Sequence, residues 1–136
     1  MILIDTSVLV DVLRDRSKES FERVATVIGA EDLAVAAHTE LELPSGARDA
    51  NEWRRLADYL ATITIVRPRD TAWAAAARMY FDLRRNGQTI RSIADVCIAQ
   101  IAVEHDLLLL HNDRDFEKVA TVCSLRHKRI QLRKTP

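Results

Sequence analysis

Asp5, Glu42, Asp95 and Asp113 are the residues of this sequence whose type and placement offer chemistry. Asp5 closes the first apolar run, Ile2-Leu3-Ile4, and Glu42 opens a helix just after the second, residues 33–37. Asp95 falls in the first turn of an apolar helix, and Asp113 comes just after the run 107–110. In an open α/β sheet the carboxyl ends of the strands line one edge, where ligands bind. Carboxylates gathered there repel one another unless a cation neutralises them, and an all-oxygen donor set suits Mg²⁺ or Mn²⁺. Such an ion keeps several waters, lowers the pKa of one of them and polarises a phosphoryl oxygen. The pattern points to metal-assisted phosphodiester chemistry with no cysteine or histidine nucleophile.

Each acid also has a plainer reading. Thr39 and Glu42 have the spacing of a capping box, as do Ser92 and Asp95. Asp113 is placed to cap a helix beginning near Asp115, and Asp5 to cap one starting at Ser7. The case for a site rests on conjunction, because all four take the same relative place at one predicted edge. His111 approaches that edge as a supporting or packing residue, and His38, His105 and His127 show no ligand spacing.

The elements that must position these acids follow from periodicity. The order reads strand, helix, helix, strand, two or three helices, strand, helix, helix, strand, helix, strand. Residues 2–4, 33–37, 63–66, 107–110 and 129–132 are the expected strands, the last at or near the sheet edge. Helices are expected from Val8 to Leu13 and over 17–28, 49–60, 70–85, 92–104 and 115–122, the fourth capped by Asp70 and ended by Asn86-Gly87. This alternation implies a three-layer α/β/α fold with a mainly parallel central sheet of four to five strands. The 136 residues, 48% apolar and 29% charged, are one domain's worth, 1–136. No apolar stretch is long enough to span a bilayer and no basic leader precedes the first strand, so a cytoplasmic location with no membrane partner is expected. Cys97 and Cys123 make no metal-spaced pair.

Net charge is zero, but Arg126, Lys128, Arg129, Arg133 and Lys134 gather at the end without an acid, leaving 15 basic against 20 acidic residues elsewhere. That balance is not the overall footprint of a nucleic-acid binder, so any such contact is local. The basic end reads equally as a solvated terminus or as a segment that docks on a partner protein.

Taken in order, Asp5-Thr6-Ser7, Thr39-x-x-Glu42-Leu43-x-x-Gly46, Ile93-Ala94-Asp95-x-x-Ile98-Ala99 and Asp113-x-Asp115-Phe116 resemble the PIN-domain ribonucleases. The closest likeness is to the VapC-type toxins of bacterial type II toxin–antitoxin pairs, and it covers essentially the whole chain. The resemblance implies that Asp5, Glu42, Asp95 and Asp113 bind Mg²⁺ or Mn²⁺ and cut RNA, with tRNA or rRNA as substrate. It implies that Asp115 helps hold the metal, with Thr6, Ser7, Arg91 and His111 supporting the site or contacting substrate. Arg84 and Arg85 are further candidate phosphate contacts. A homodimer with paired sites along one groove is implied, as is a cognate VapB-type antitoxin that places an arginine on the acids. Two residues depart from the pattern. Pro44 lies inside the helix carrying Glu42, where a shift would make Glu40 the ligand instead, and His111 stands where many relatives carry threonine.

Rival readings fit less of the sequence. A phosphoacceptor receiver domain needs paired acids after the first strand, an aspartate after the middle one and a lysine after the last. Here Asp5 is followed by Thr6, the third strand runs into Arg67-Pro68, and no lysine closely follows Leu110. A haloacid-dehalogenase-type phosphatase needs an aspartate where Ser7 stands. A PIN fold that only binds a partner, with weak catalysis, is opposed by the intact acid set.

Overall fold

The computed structural model describes residues 1–132, so Arg133 and Lys134 of the basic end lie outside the described residues. Five short strands carry the centre: β1 (Ile2–Ile4), β2 (Leu33–Ala36), β3 (Thr64–Val66), β4 (Leu108–His111) and β5 (His127–Arg129). Between them run α1 (Thr6–Arg14), α2 (Glu19–Ile28), α3 (Ala37–Ser45), α4 (Ala50–Leu60), α5 (Ala72–Arg85), α6 (Ala94–Glu104) and α7 (Arg114–Val119). The sheet order is β3-β2-β1-β4-β5 and every pairing is parallel. β1 is central, with Ile2 opposite both Leu33 and Leu108. Parallel pairing brings all five carboxyl ends to one edge.

The two-residue period of the strands divides the apolar side chains between two cores. Leu3, Ala34, Ala36 and Leu109 face Ala76, Met79 and Leu83 of α5, Val96, Ala99 and Ala102 of α6, and Phe116 of α7. Ile2, Ile4, Val35 and Leu110 face Val8 and Leu9 of α1, Val24 and Ile28 of α2, Leu43 of α3 and Leu60 of α4. The molecule is thus a three-layer α/β/α fold around a five-stranded parallel sheet. Because β1 and β4 are covered on both faces, their sequences are continuous apolar runs rather than alternations. Among the described residues no helix is long and apolar enough to cross a membrane.

Several boundaries differ from the sequence expectation. α3 begins at Ala37, with Ala36 rather than Thr39 at its N-cap. Thr39 is buried, and its hydroxyl lies 3.0 Å from that of Thr6. α3 continues past Pro44 to Ser45, so the proline neither ends the helix nor delays its start. Asp70 does not cap α5, which begins at Ala72 without a side-chain cap. Its end is as expected: Gly87 takes φ +72° and donates to the Arg84 carbonyl, while Gln88 donates to that of Leu83. α2 starts late, after the Asp15 carboxylate has bound the amides of Ser17 and Ser20. β4 includes His111, and β5 is the polar triplet His127–Arg129 rather than the more apolar 129–132, since it lies at the edge of the sheet.

Candidate metal centre

Asp5 leaves β1 and caps α1, its Oδ2 accepting from the Ser7 amide at 3.1 Å and from the Ser7 hydroxyl. Ser7 Oγ accepts in turn from the Asn112 amide at 3.2 Å, and the Asp5 amide donates to the Leu110 carbonyl at 2.9 Å. These bonds tie the ends of β1 and β4 together. Asp113 caps α7, its Oδ1 accepting from the Asp115 amide at 2.9 Å. The capping roles of Asp5 and Asp113 therefore coexist with a place at the sheet edge. Asp95 enters from the first turn of α6, and Glu42 from further along α3.

Asp5, Glu42, Asp95 and Asp113 line one cleft of about 740 Å³, together with Thr6, Ser7 and Arg91. Asp95, Asp113 and Asp115 each bring a carboxylate oxygen within 4.8 Å of the others. Glu40 turns elsewhere, to Arg67 at 2.7 Å.

The charges record this crowding. Burial first, then Asp113, Asp5, Asp115 and Glu42, push the Asp95 carboxyl up to about 7. Asp5 is raised by its burial against the lowering bonds from Ser7, and Glu42 by burial and then by Asp5. Asp115 goes the other way. Burial works to raise it, but the Arg91 amide at 2.8 Å and the Lys118 ammonium at 3.5 Å outweigh that effect. Donors that are all carboxylate oxygens, converging within 4.8 Å and raising the Asp95 carboxyl on top of its burial, fit a hard divalent cation.

Of the other residues singled out in the sequence, Thr6, Ser7, Arg91 and His111 lie around the acids and Arg85 does not. Thr6 is buried against Thr39. Arg91, expected as a phosphate contact, has its guanidinium on the acids themselves, 3.1 Å from Asp113 and 3.5 Å from Asp115. His111 is wholly buried, its ring tilted 54° to that of Phe116 with centroids 4.9 Å apart. Burial and then His127 bring its pKa down to about 4, so the ring is neutral. Its Nδ1 accepts from the Asp113 amide at 3.1 Å, and its Nε2 lies 2.9 Å from His127 Nδ1. Arg85 lies away from the acids, over the Phe81 ring at 5.7 Å. Sequence reasoning passed over Lys118, although its place one turn after Asp115 was a legible signal. His38, which shows no ligand spacing in the sequence, lines the cleft with Nδ1 buried and unbonded.

Comparison with known proteins gives a consistent result. The PIN domain family profile matches residues 2–122. The chain is 34% identical over 130 residues to VapC ribonuclease Mb1587 of Mycobacterium bovis, covering 92% of this chain and 96% of that protein. It is 32% identical over 120 residues to ribonuclease VapC51 of Mycobacterium tuberculosis, covering 88% and 85%. The fold superposes on VapBC2 of Rickettsia felis, solved with a promoter DNA fragment, at TM-score 0.76 and 16% identity, over 95% of this chain and 98% of that one. VapBC-1 of nontypeable Haemophilus influenzae gives TM-score 0.74 and 21% identity, over the same shares. With its acids at the carboxyl edge of a β3-β2-β1-β4-β5 sheet, the chain belongs to the PIN-domain family, among the VapC ribonucleases.

Proposed function

We propose that this single domain is a divalent-metal-dependent endoribonuclease, the toxin of a VapBC-type pair acting in the cytoplasm. The observation that carries the reading is the cluster of Asp95, Asp113 and Asp115 oxygens within 4.8 Å, beside Asp5 and Glu42 in one cleft. Asp95, Asp113 and Asp115 would hold Mg²⁺ or Mn²⁺ together with Asp5 and Glu42 of the same cleft. When bound, the ion supplies a water of lowered pKa and a polarised phosphoryl oxygen. The chain's own residues do the positioning. Ser7 fixes the Asp5 carboxylate, His111 fixes the Asp113 backbone, and the Arg91 amide with Lys118 favours the ionised Asp115. The spacing of Glu42 and its place on the cleft support it over Glu40 as the α3 acid.

The substrate is a structured cellular RNA such as tRNA or rRNA, cut where the strand is unpaired. The partners are a VapB-type antitoxin, supported by the VapBC complexes that share the fold, and a second copy of the chain, which rests on the family resemblance alone. The test is cleavage of end-labelled tRNA and rRNA by purified protein with Mg²⁺, with Mn²⁺ and with excess EDTA. Cuts are expected only with metal, and sequencing their ends defines the target. Undiminished cleavage in chelator overturns the metal assignment, and no cleavage of any RNA with metal overturns the nuclease.

A further inference from the structure

Arg91 is 81% exposed at its side chain, yet it sits on the buried end of the acid cluster. Its amide donates to Asp115 Oδ2 at 2.8 Å, which pins the backbone beside the acids. Its guanidinium reaches Asp113 Oδ1 at 3.1 Å and Asp115 Oδ2 at 3.5 Å, and it lines the same cleft as Asp5, Glu42 and Asp95. Both carboxylates it holds belong to the set whose oxygens converge. A guanidinium and a divalent cation compete for such oxygens, because each neutralises the same charge. An exposed ion pair is weak and its side chain is easily released. Lys118 remains on Asp115 at 3.5 Å, so that acid keeps one cation after the arginine leaves. A freed guanidinium on a pinned backbone at the cleft wall is a fork suited to a phosphodiester.

We infer that Arg91 is an exchangeable counter-ion, which neutralises Asp113 and Asp115 in the metal-free protein and passes to the RNA phosphate when a divalent cation takes those acids. The inference rests on the nuclease reading for its second half only. The first half concerns metal binding by the protein alone.

The experiment compares wild type, Arg91→Ala and Arg91→Lys, each checked by a thermal melt. Mn²⁺ is titrated into the RNA-free protein, and kcat and KM are measured separately on RNA. Arg91→Ala is expected to bind Mn²⁺ about two- to five-fold more tightly than wild type, the size of a lost exposed ion pair. Its KM for RNA should rise about tenfold with a smaller change in kcat, as for a lost charge-assisted phosphate contact. Arg91→Lys keeps the charge without the fork, and should restore Mn²⁺ affinity toward wild type while KM stays high. Unchanged or weaker Mn²⁺ binding by Arg91→Ala overturns the exchange, since the arginine would then only organise the cluster. Tighter Mn²⁺ binding with KM unchanged overturns the transfer to phosphate. A wild type that binds Mn²⁺ but cuts no RNA leaves the titration readable and counts against the nuclease instead.

Discussion

Asp95 makes the strongest pH statement among the residues. Its carboxyl stands at about 7 in the folded protein against an ordinary 3.8. The folded state therefore holds this proton more tightly than the unfolded chain does. The contribution to stability is fully present below about 3.8 and is lost as pH rises through about 7. Urea melts of the metal-free protein across that window should show stability falling with pH, and Asp95→Asn should flatten the slope. The same proton competes with metal, so Mn²⁺ affinity should drop as pH falls below about 7. A second residue-scale expectation separates two neighbours on α3. Glu42 faces the acid cleft while Glu40 holds Arg67. Glu42→Gln should weaken metal binding and stop cleavage in a protein that still folds, and Glu40→Gln should keep most activity. The reverse result would put the wrong acid in the site.

At the scale of elements, one buried bond joins the helix behind Asp5 to the helix bearing Glu42. The Thr6 and Thr39 hydroxyls lie 3.0 Å apart and both residues are buried. Thr39→Val removes one of the two side-chain partners of the Thr6 hydroxyl, which keeps its bond to Glu42, and should cost about 1 kcal/mol in urea unfolding. Thr6→Val and Thr39→Val together should cost less than the sum of the two single changes, because the bond between the hydroxyls is then lost only once. Strictly additive effects would mean that the bond holds nothing. This pair also marks where sequence reading stopped. Thr39 has the type and spacing of a capping residue, yet the helix starts earlier, at Ala37, where no side chain signals a start. Packing against α1 decided that boundary, and no local pattern encodes it. β5 was obscured for a related reason. Ile130 and Leu132 are buried outside any strand, while the polar His127–Arg129 makes the ladder. The acids themselves were legible because strand ends and helix starts are local signals. The pairing of Arg91 with Asp113, across 22 residues, was not.

For the whole molecule, a cation that binds only the folded state stabilises it by mass action, by about 2.7 kcal/mol at a hundredfold excess over Kd. Mn²⁺ should raise the melting temperature, and Asp113→Asn should lose most of that rise. Element order and layer architecture were readable from the alternation of short apolar runs and amphipathic helices. The order of strands across the sheet was not, because nothing local says that β1 lies between β2 and β4. That placement has a temporal consequence. Ile2 pairs with Leu108, across more than a hundred residues of sequence, and Asp113 lies beyond it. A ribosome makes the central strand long before its second neighbour, β4. Until β4 has emerged, Asp5 has no Leu110 carbonyl to anchor its amide and no Asp113 beside it. On the nuclease reading, the growing polypeptide should therefore stay catalytically silent until β4 and Asp113 have both been made, and a fragment that stops before residue 108 should cut no RNA.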